Sequence, residues 1–227
     1  MRMLLEFQKS DTVRHLGLLD LQRTMQRALR RSGLPVRYSS GFNPHIVMSF
    51  ASALSSGIPG DAELLDVSLT GEVTQEECLA QMNHVLPPTL KASRVRLVDD
   101  HFPKVGAALE QAEYLIRLYG GDCKRIAEHV NEFLSKAEIM ALRKTKRQET
   151  MVNIRPMIHQ LTPSYDASAD LLTLTARVSF VEAATLKPEL LLSALANDAN
   201  AELPRHEIRR TRLLGRKGTE IVPLIDL

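Results

Sequence analysis

The spacing of apolar residues switches between two periods along this chain, and that switching constrains the fold more than composition does. Arg2 to Gln8 alternates in the manner of a strand with one buried face. Asp11 to Arg31 contains a pattern of helical period. Ile46 to Phe50 is a short apolar run read as strand, and Glu63 to Thr70 alternates through Leu65, Val67 and Leu69. Thr74-Gln75-Glu76-Glu77 then opens a helix with a capping box, in which the Glu77 carboxylate can reach back to the backbone of Thr74. That helix runs to Leu86 and stops before Pro87 and Pro88. Leu90 to Val98 returns to strand, with Ala92, Val95 and Leu97 as its apolar residues. The order β-α-β-β-α-β is the ferredoxin-like pattern.

The remainder repeats this order loosely. Glu113 to Tyr119 alternates through Tyr114, Ile116 and Leu118 and predicts a strand. Asp122 to Lys136 carries Ile126, Val130, Phe133 and Leu134 at helical spacing. Ile139 to Arg143 and Gln148 to Ile154 can pair as a hairpin around a basic turn. Ile158 to Tyr165 and Leu171 to Val178 are extended, Lys187 to Ala196 is a helix with Pro188 tolerated in its first turn, and Glu207 to Leu214 is the last strand. The predicted fold is therefore α+β: two ferredoxin-like units packed together, the first over residues 1–100 and the second over 110–227. Their boundary falls near Asp99 to Gln111, where Asp100, Pro103 and Gly106 interrupt the pattern but Val105 to Leu109 is too apolar for a free linker.

The most suggestive surface lies on the first helical run, Asp20 to Pro35. Its arginines, Arg23, Arg27, Arg30 and Arg31, fall within an arc of roughly 100° when a helix turns about 100° per residue. Leu18, Leu21, Met25, Ala28 and Leu29 fall on the opposite arc. One face is thus set to pack on a core while the other concentrates positive charge, with only Asp20 as an acid in the same arc. Guanidinium forks match phosphate oxygens, so the face is a candidate phosphate site; the structural alternative is a solvated charged face. The helix stops at Gly33-Leu34-Pro35 and feeds a loop from Tyr38 to His45. There Gly41 opens backbone conformations closed to other residues, and Pro44 stiffens the approach to His45. An imidazole held in this way suits proton transfer or phosphate contact. The alternative is a turn in which Asn43 and His45 satisfy backbone groups. Arg37, Gly41, Asn43 and His45 join the arginines as candidate ligand residues, with His45 the only catalytic candidate.

Other cationic features are weaker. Arg143-Lys144-Thr145-Lys146-Arg147 would form a basic hairpin tip, able to clamp a nucleic-acid backbone or simply to protect a sheet edge. Arg155 faces either a ligand or a structural ion pair. Arg209, Arg210 and Arg212 make a cationic strand whose alternation would put Arg210 and Arg212 on one face.

Composition mainly excludes. Net charge is +2 over 227 residues, so any nucleic-acid case rests on local clustering. Aromatic residues make up 4%, with no run of alternating aromatics of the kind that stacks bases on an RRM sheet. No Walker A loop, GxSxG elbow, HExxH or paired-cysteine motif occurs, and no metal or cofactor site is expected. The two cysteines, Cys78 and Cys123, form neither a disulfide framework nor a thiolate zinc site and read as reduced thiols. The N-terminus lacks the apolar core of a signal peptide and no run of about 18 apolar residues occurs, so a cytoplasmic location is expected.

The block Leu19-Asp20-Leu21, Arg23, Arg27-Ala28-Leu29-Arg30-Arg31, Gly33-Leu34-Pro35, Tyr38-Ser39 and Gly41-Phe42-Asn43-Pro44-His45 resembles the radical-SAM-linked domain family of unknown function (DUF2344). Ser49-Phe50, Gly57 and Glu63-Leu64-Leu65-Asp66-Val67 continue the pattern. Ile154-Arg155-Pro156, Lys187-Pro188 and Arg210-Thr211 resemble further motifs, so the likeness spans almost the whole chain. There are two departures: Gly17-Leu18 stands where the family usually has Ser-His, and Asn153 where it usually has Asp. The resemblance implies a radical SAM protein as partner and supplies no reaction. This chain could not perform radical SAM chemistry by itself, which needs three closely spaced cysteines for its cluster. The expected function is that of an accessory RNA-binding protein working with a radical SAM enzyme, more an auxiliary than an enzyme by itself. The alternatives are an enzyme using His45 on RNA or a nucleotide, and a protein-only adaptor of the radical SAM partner.

Overall fold

Windows of alternating hydrophobicity form strands, and windows of helical period form helices. The computed structural model describes residues 1–144, 148–181 and 184–227. In chain order the elements are β1 (Arg2–Lys9), α1 (Leu18–Arg31), β2 (Met48–Phe50), β3 (Gly60–Ser68), α2 (Gln75–Val85), β4 (Ala92–Val98), β5 (Leu109–Tyr119), α3 (Cys123–Ser135), β6 (Met140–Lys144), β7 (Glu149–Asn153), β8 (Ile158–Asp166), β9 (Leu171–Ser179), α4 (Pro188–Asp198), β10 (Arg205–Lys217) and β11 (Glu220–Pro223). The fold is α+β, with four α-helices among the described residues and a mostly antiparallel sheet.

The described residues form two compact units, one of residues 1–109 with 210–227 and one of residues 110–209. In the first, β1 is central. It pairs antiparallel with β3 and β4, and β2 pairs with β3. Registers such as Met3 to Val67 and Leu97 place apolar side chains on a common face. Met3, Leu5 and Phe7 bury that face against Leu21, Met25, Ala28 and Leu29 of α1 and Cys78 and Met82 of α2. The capping box of α2 is formed: Glu77 N–H donates to Thr74 Oγ1 at 3.1 Å and Thr74 N–H to Glu77 Oε2 at 2.8 Å. In the second unit the strand order is β10-β5-β9-β8, while β6 and β7 form a separate hairpin. Its core includes Ile126, Val130 and Phe133 of α3 and Leu191 and Leu195 of α4.

The cationic helix stops at the expected glycine: α1 ends at Arg31, Ser32 is its C-cap and Gly33 turns with φ of 73°. Two expectations need correction. Leu18 is 41% exposed rather than buried. It is the first residue of α1, and a helical side chain leans back over the preceding turn, away from the core. Second, residues 210–227 lie in the first unit, not the second. Their tie is polar and specific. The Arg210 N–H donates to the Pro59 carbonyl at 3.0 Å, and Arg210 pairs with Gly60 in a parallel bridge. Arg94 grips Asp226 at 2.5 Å, and Arg96 donates to the carbonyls of Ile225 and Leu227 at 2.8 and 3.0 Å.

The Arg210 side chain is buried at 1% exposure and forks onto Glu63, with Nε to Oε1 at 2.8 Å and Nη2 to Oε2. Lys9, also 1% exposed, feels both groups. Burial pushes its ammonium below the usual value; Glu63 opposes that shift and Arg210 adds to it. Arg210 thus contacts the carboxylate directly, while Lys9 is reached by its charge alone. Glu63→Gln is expected to cost about 3–5 kcal/mol in urea unfolding, since it removes the carboxylate that the buried Arg210 guanidinium forks onto. Lys9→Met is expected to be neutral or stabilising near pH 7. Its benefit fades as pH rises through the depressed Lys9 value towards the ordinary 10.5, because a neutral amine no longer carries the burial penalty.

Both cysteines are free and buried. Burial, reinforced by Glu77, pushes the Cys78 thiol up to about 11. Thiolate is the reactive form, so both cysteines are expected to resist iodoacetamide at pH 8 in the native protein and to react on unfolding. Mass spectrometry of modified peptides checks this, and native-state labelling of Cys78 would contradict it.

Candidate functional site: an arginine groove and a clamped loop

Met25, Ala28 and Leu29 face the core, so the residues between them on α1 point to solvent. This places Arg27, Arg30 and Arg31 together. With Thr24 and with Val85, Leu86 and Pro87 at the end of α2, they line a groove of about 600 Å³. Arg31 spends one donor on the Val85 carbonyl at 3.1 Å. Arg27 and Arg30 have no carboxylate within ion-pair reach among the described residues, and none lines the groove. Arg30 and Arg31 also sit in the last turn of α1, where cations favour the helix dipole, so part of their charge serves the helix. Arg23 stands apart from the groove lining and pairs with Asp20 at 3.3 Å, one turn back on the exposed helix surface. The structure therefore assembles three of the four arginines into one concave cationic surface.

The loop beyond α1 forms a small hairpin. Val36 bridges Leu69 and Tyr38 bridges Ile46. Ser39 and His45 clamp its neck three times: Ser39 N–H donates to the His45 carbonyl at 2.8 Å, His45 N–H to Ser39 Oγ at 3.1 Å, and Ser39 Oγ lies 2.9 Å from His45 Nδ1. Gly41 has φ of 118°, which only glycine adopts readily. Residues 40–45 are all exposed. A serine hydroxyl beside an imidazole resembles a nucleophile and its base. Here, though, the hydroxyl is already an acceptor for the hairpin backbone, and no third group orients the His45 ring among the described residues. Arg37 is outside the groove lining. It donates to the Leu69 carbonyl at 3.4 Å and lies 3.5 Å from Asp100.

One exposed residue escaped the sequence reasoning. Phe42, at the tip of this loop, is fully exposed and makes no ring contact among the described residues. The available signal was a bulky aromatic inside a Gly-Asn-Pro loop, where turn propensity gives no reason for it.

Arg155 lies in the second unit and turns its donors on backbone: Nε to the Leu134 carbonyl at 2.9 Å and Nη1 to the Ile158 carbonyl at 3.4 Å. This is a structural use of the guanidinium, with carbonyls in place of the expected carboxylate. In the basic turn, Arg143 donates to the Thr185 carbonyl at 3.0 Å and Lys144 pairs with Glu149 at 3.0 Å. Residues 145–147 of that turn lie outside the described residues. Arg210 and Arg212 do not share an environment: Arg210 is buried and Arg212 exposed, because the burial phase of β10 shifts at Leu213 to Gly215. Among the described residues no group of three His, Cys, Asp or Glu side chains is placed to hold a metal ion. None of the described helices is long and apolar enough to cross a membrane.

Asn153 Oδ1 accepts the backbone N–H of Ile139 at 3.0 Å and of Arg155 at 3.1 Å. A carboxylate oxygen would accept both equally well, so Asn153 and an Asp at this position would serve the same local architecture. Asn153→Asp is expected to change stability by less than about 1 kcal/mol, whereas Asn153→Ala, which orphans two donors, is expected to cost about 1–3 kcal/mol. Thermal unfolding of the two variants checks the contrast.

No curated protein matches the chain. The model of one protein family, described as an uncharacterized protein conserved in bacteria (DUF2344), matches residues 2–188, and with the arginine helix, the clamped loop and the Ile154-Arg155-Pro156 turn all inside that span, the chain belongs to this family.

Proposed function

We propose that this protein is an accessory RNA-binding protein acting with a radical SAM enzyme in the cytoplasm, and that it holds RNA phosphates in the groove of Arg27, Arg30 and Arg31. The observation that carries the reading is the convergence of three arginines on one concavity, two of them with no carboxylate in ion-pair reach among the described residues. The buried Arg2 and Arg210 each fork onto a carboxylate, whereas Arg27 and Arg30 have none within reach among the described residues. Planar guanidinium forks are suited to phosphate oxygens, and each contact would release counterions. The radical SAM partner rests on the family resemblance alone. The ferredoxin-like reading of the fold is supported by the strand order in each unit: β4-β1-β3 with β2 on β3, and β10-β5-β9-β8, both with antiparallel neighbours where registers are defined.

The Ser39–His45 contact favours a second reading, catalysis by His45 on RNA or a nucleotide. Its weakness is that the serine hydroxyl is engaged with the hairpin and the site is open to water.

The test is ultraviolet crosslinking and stringent purification of the tagged protein from its native cells. A defined RNA should be recovered, and the Arg27→Glu/Arg30→Glu variant should lose it while keeping the wild-type circular dichroism spectrum. In vitro, each phosphate contact removed is expected to lower the slope of log affinity against log salt by about 0.7 for single strands. Recovery no better than an untagged control sinks the RNA reading; a radical SAM protein still copurifying after nuclease treatment would then favour a protein-only adaptor.

A further inference from the structure

We propose that the clamped loop carries a second element of the RNA site: Phe42 stacks on an unpaired base, with the neighbouring Asn43 amide available to that base's edge. The inference rests on the RNA-binding reading above and extends it from phosphate contact to recognition of single-stranded RNA.

Three observations carry it. First, the Phe42 ring is fully exposed, although an exposed aromatic contributes nothing to the core and leaves a large apolar surface in water. Second, the loop is closed at its neck. Three hydrogen bonds between Ser39 and His45 close its neck, Gly41 sets the reversal at φ of 118°, and Pro44 restricts the return. A ring held on such a loop loses little entropy when a planar partner covers it. Third, Asn43 is exposed and its amide has no hydrogen-bond partner among the described residues, so its donors and acceptor are available together. An aromatic face and a free amide on successive residues match the two things an unpaired base offers, a π-face and a polar edge.

A protein partner is the less favoured occupant. An aromatic anchor at a protein interface is normally ringed by further well-packed contacts. Phe42 is instead flanked by Gly41, Asn43, Pro44 and His45, all exposed, and the nearest exposed bulky residue in the hairpin is Tyr38, itself an aromatic with a polar tip. Duplex RNA is also a poor fit, since its bases are stacked on one another and are read by shape.

The experiment is fluorescence anisotropy with the full chain and a labelled 12-nucleotide single-stranded RNA, alongside the same RNA annealed to its complement. Wild type is expected to prefer the single strand. Phe42→Ala is expected to weaken single-strand binding by about 5- to 150-fold, the range for losing one base–aromatic stack. The slope against salt should stay unchanged, because stacking releases no counterions. Phe42→Tyr should restore binding, and Phe42→Trp should show indole fluorescence quenched by the single strand. Because Phe42 is fully exposed and makes no ring contact among the described residues, none of these changes should disturb folding. Salt-dependent RNA binding that is identical in wild type and Phe42→Ala overturns the stacking proposal and leaves the arginine groove standing. If wild type binds neither RNA, the RNA reading fails and this inference falls with it. Loss of a copurifying protein in Phe42→Ala, with RNA affinity intact, reassigns the loop to a protein contact and also overturns the proposal.

Discussion

The Glu63 carboxylate takes the fork of the buried Arg210 guanidinium and acts by its charge on the buried Lys9, and this ties that part of β10 into the first unit. Lys9 ends β1, Glu63 lies in β3, and Arg210 belongs to a strand more than a hundred positions away. Burying these groups without one another would be prohibitive, so their pairing requires the distant segment to return. The backbone complies at the same point. Gly60 pairs with both Lys9 and Arg210, and a Cβ on Gly60 would lie 2.5 Å from Glu63 Oε1, so only glycine leaves room for the carboxylate. Arg2 and Asp66 repeat the logic nearby. Their bidentate contact at 3.0 and 2.7 Å is buried, and Arg2 also donates to the carbonyls of Phe102 and Pro103 at 2.6 and 3.0 Å, holding the stretch that follows β4.

These contacts separate the arginines by what they do. Arg2, Arg143, Arg155 and Arg210 direct their donors at carbonyls or carboxylates of their own unit and hold the chain in place. Arg27 and Arg30 do neither, and they sit beside a concavity. This distinction, with part of the Arg30 charge serving the helix dipole, makes the pair a candidate surface. Phe42 is the apolar counterpart. It is a ring that the core does not use, displayed on a loop whose neck is closed by Ser39 and His45. The residue that the sequence marked as the chemical centre of the loop, His45, is in the structure the residue that holds the loop shut.

Much of the architecture was legible in the chain. The β-α-β-β-α-β order, the capping box at Thr74, the α2 stop before Pro87 and the hairpin of β6 and β7 all follow from local rules: apolar period, side-chain to backbone hydrogen bonds and the missing N–H of proline. Such rules act over a few residues, so they can be read without knowing the fold. The fourth arginine was less accessible. Arg23 shares the arc of Arg27, Arg30 and Arg31 on a helical wheel, but the wheel carries no axial coordinate, and Arg23 sits beside Asp20 while the others reach the end of α2.

What the sequence by itself determined was therefore the set of elements, the buried stripe of α1 and the presence of a cationic face. What only the tertiary structure decided was the assignment of residues 210–227 to the first unit, the burial of Arg210 against Glu63, the use of Asn153 and Arg155 as backbone partners, and the exposure of Phe42. The physical reason is range. Periodicity and capping depend on neighbours in the chain, whereas desolvation and ion pairing depend on neighbours in space, and an arginine has the same sequence signature whether it is buried against a glutamate or open to solvent.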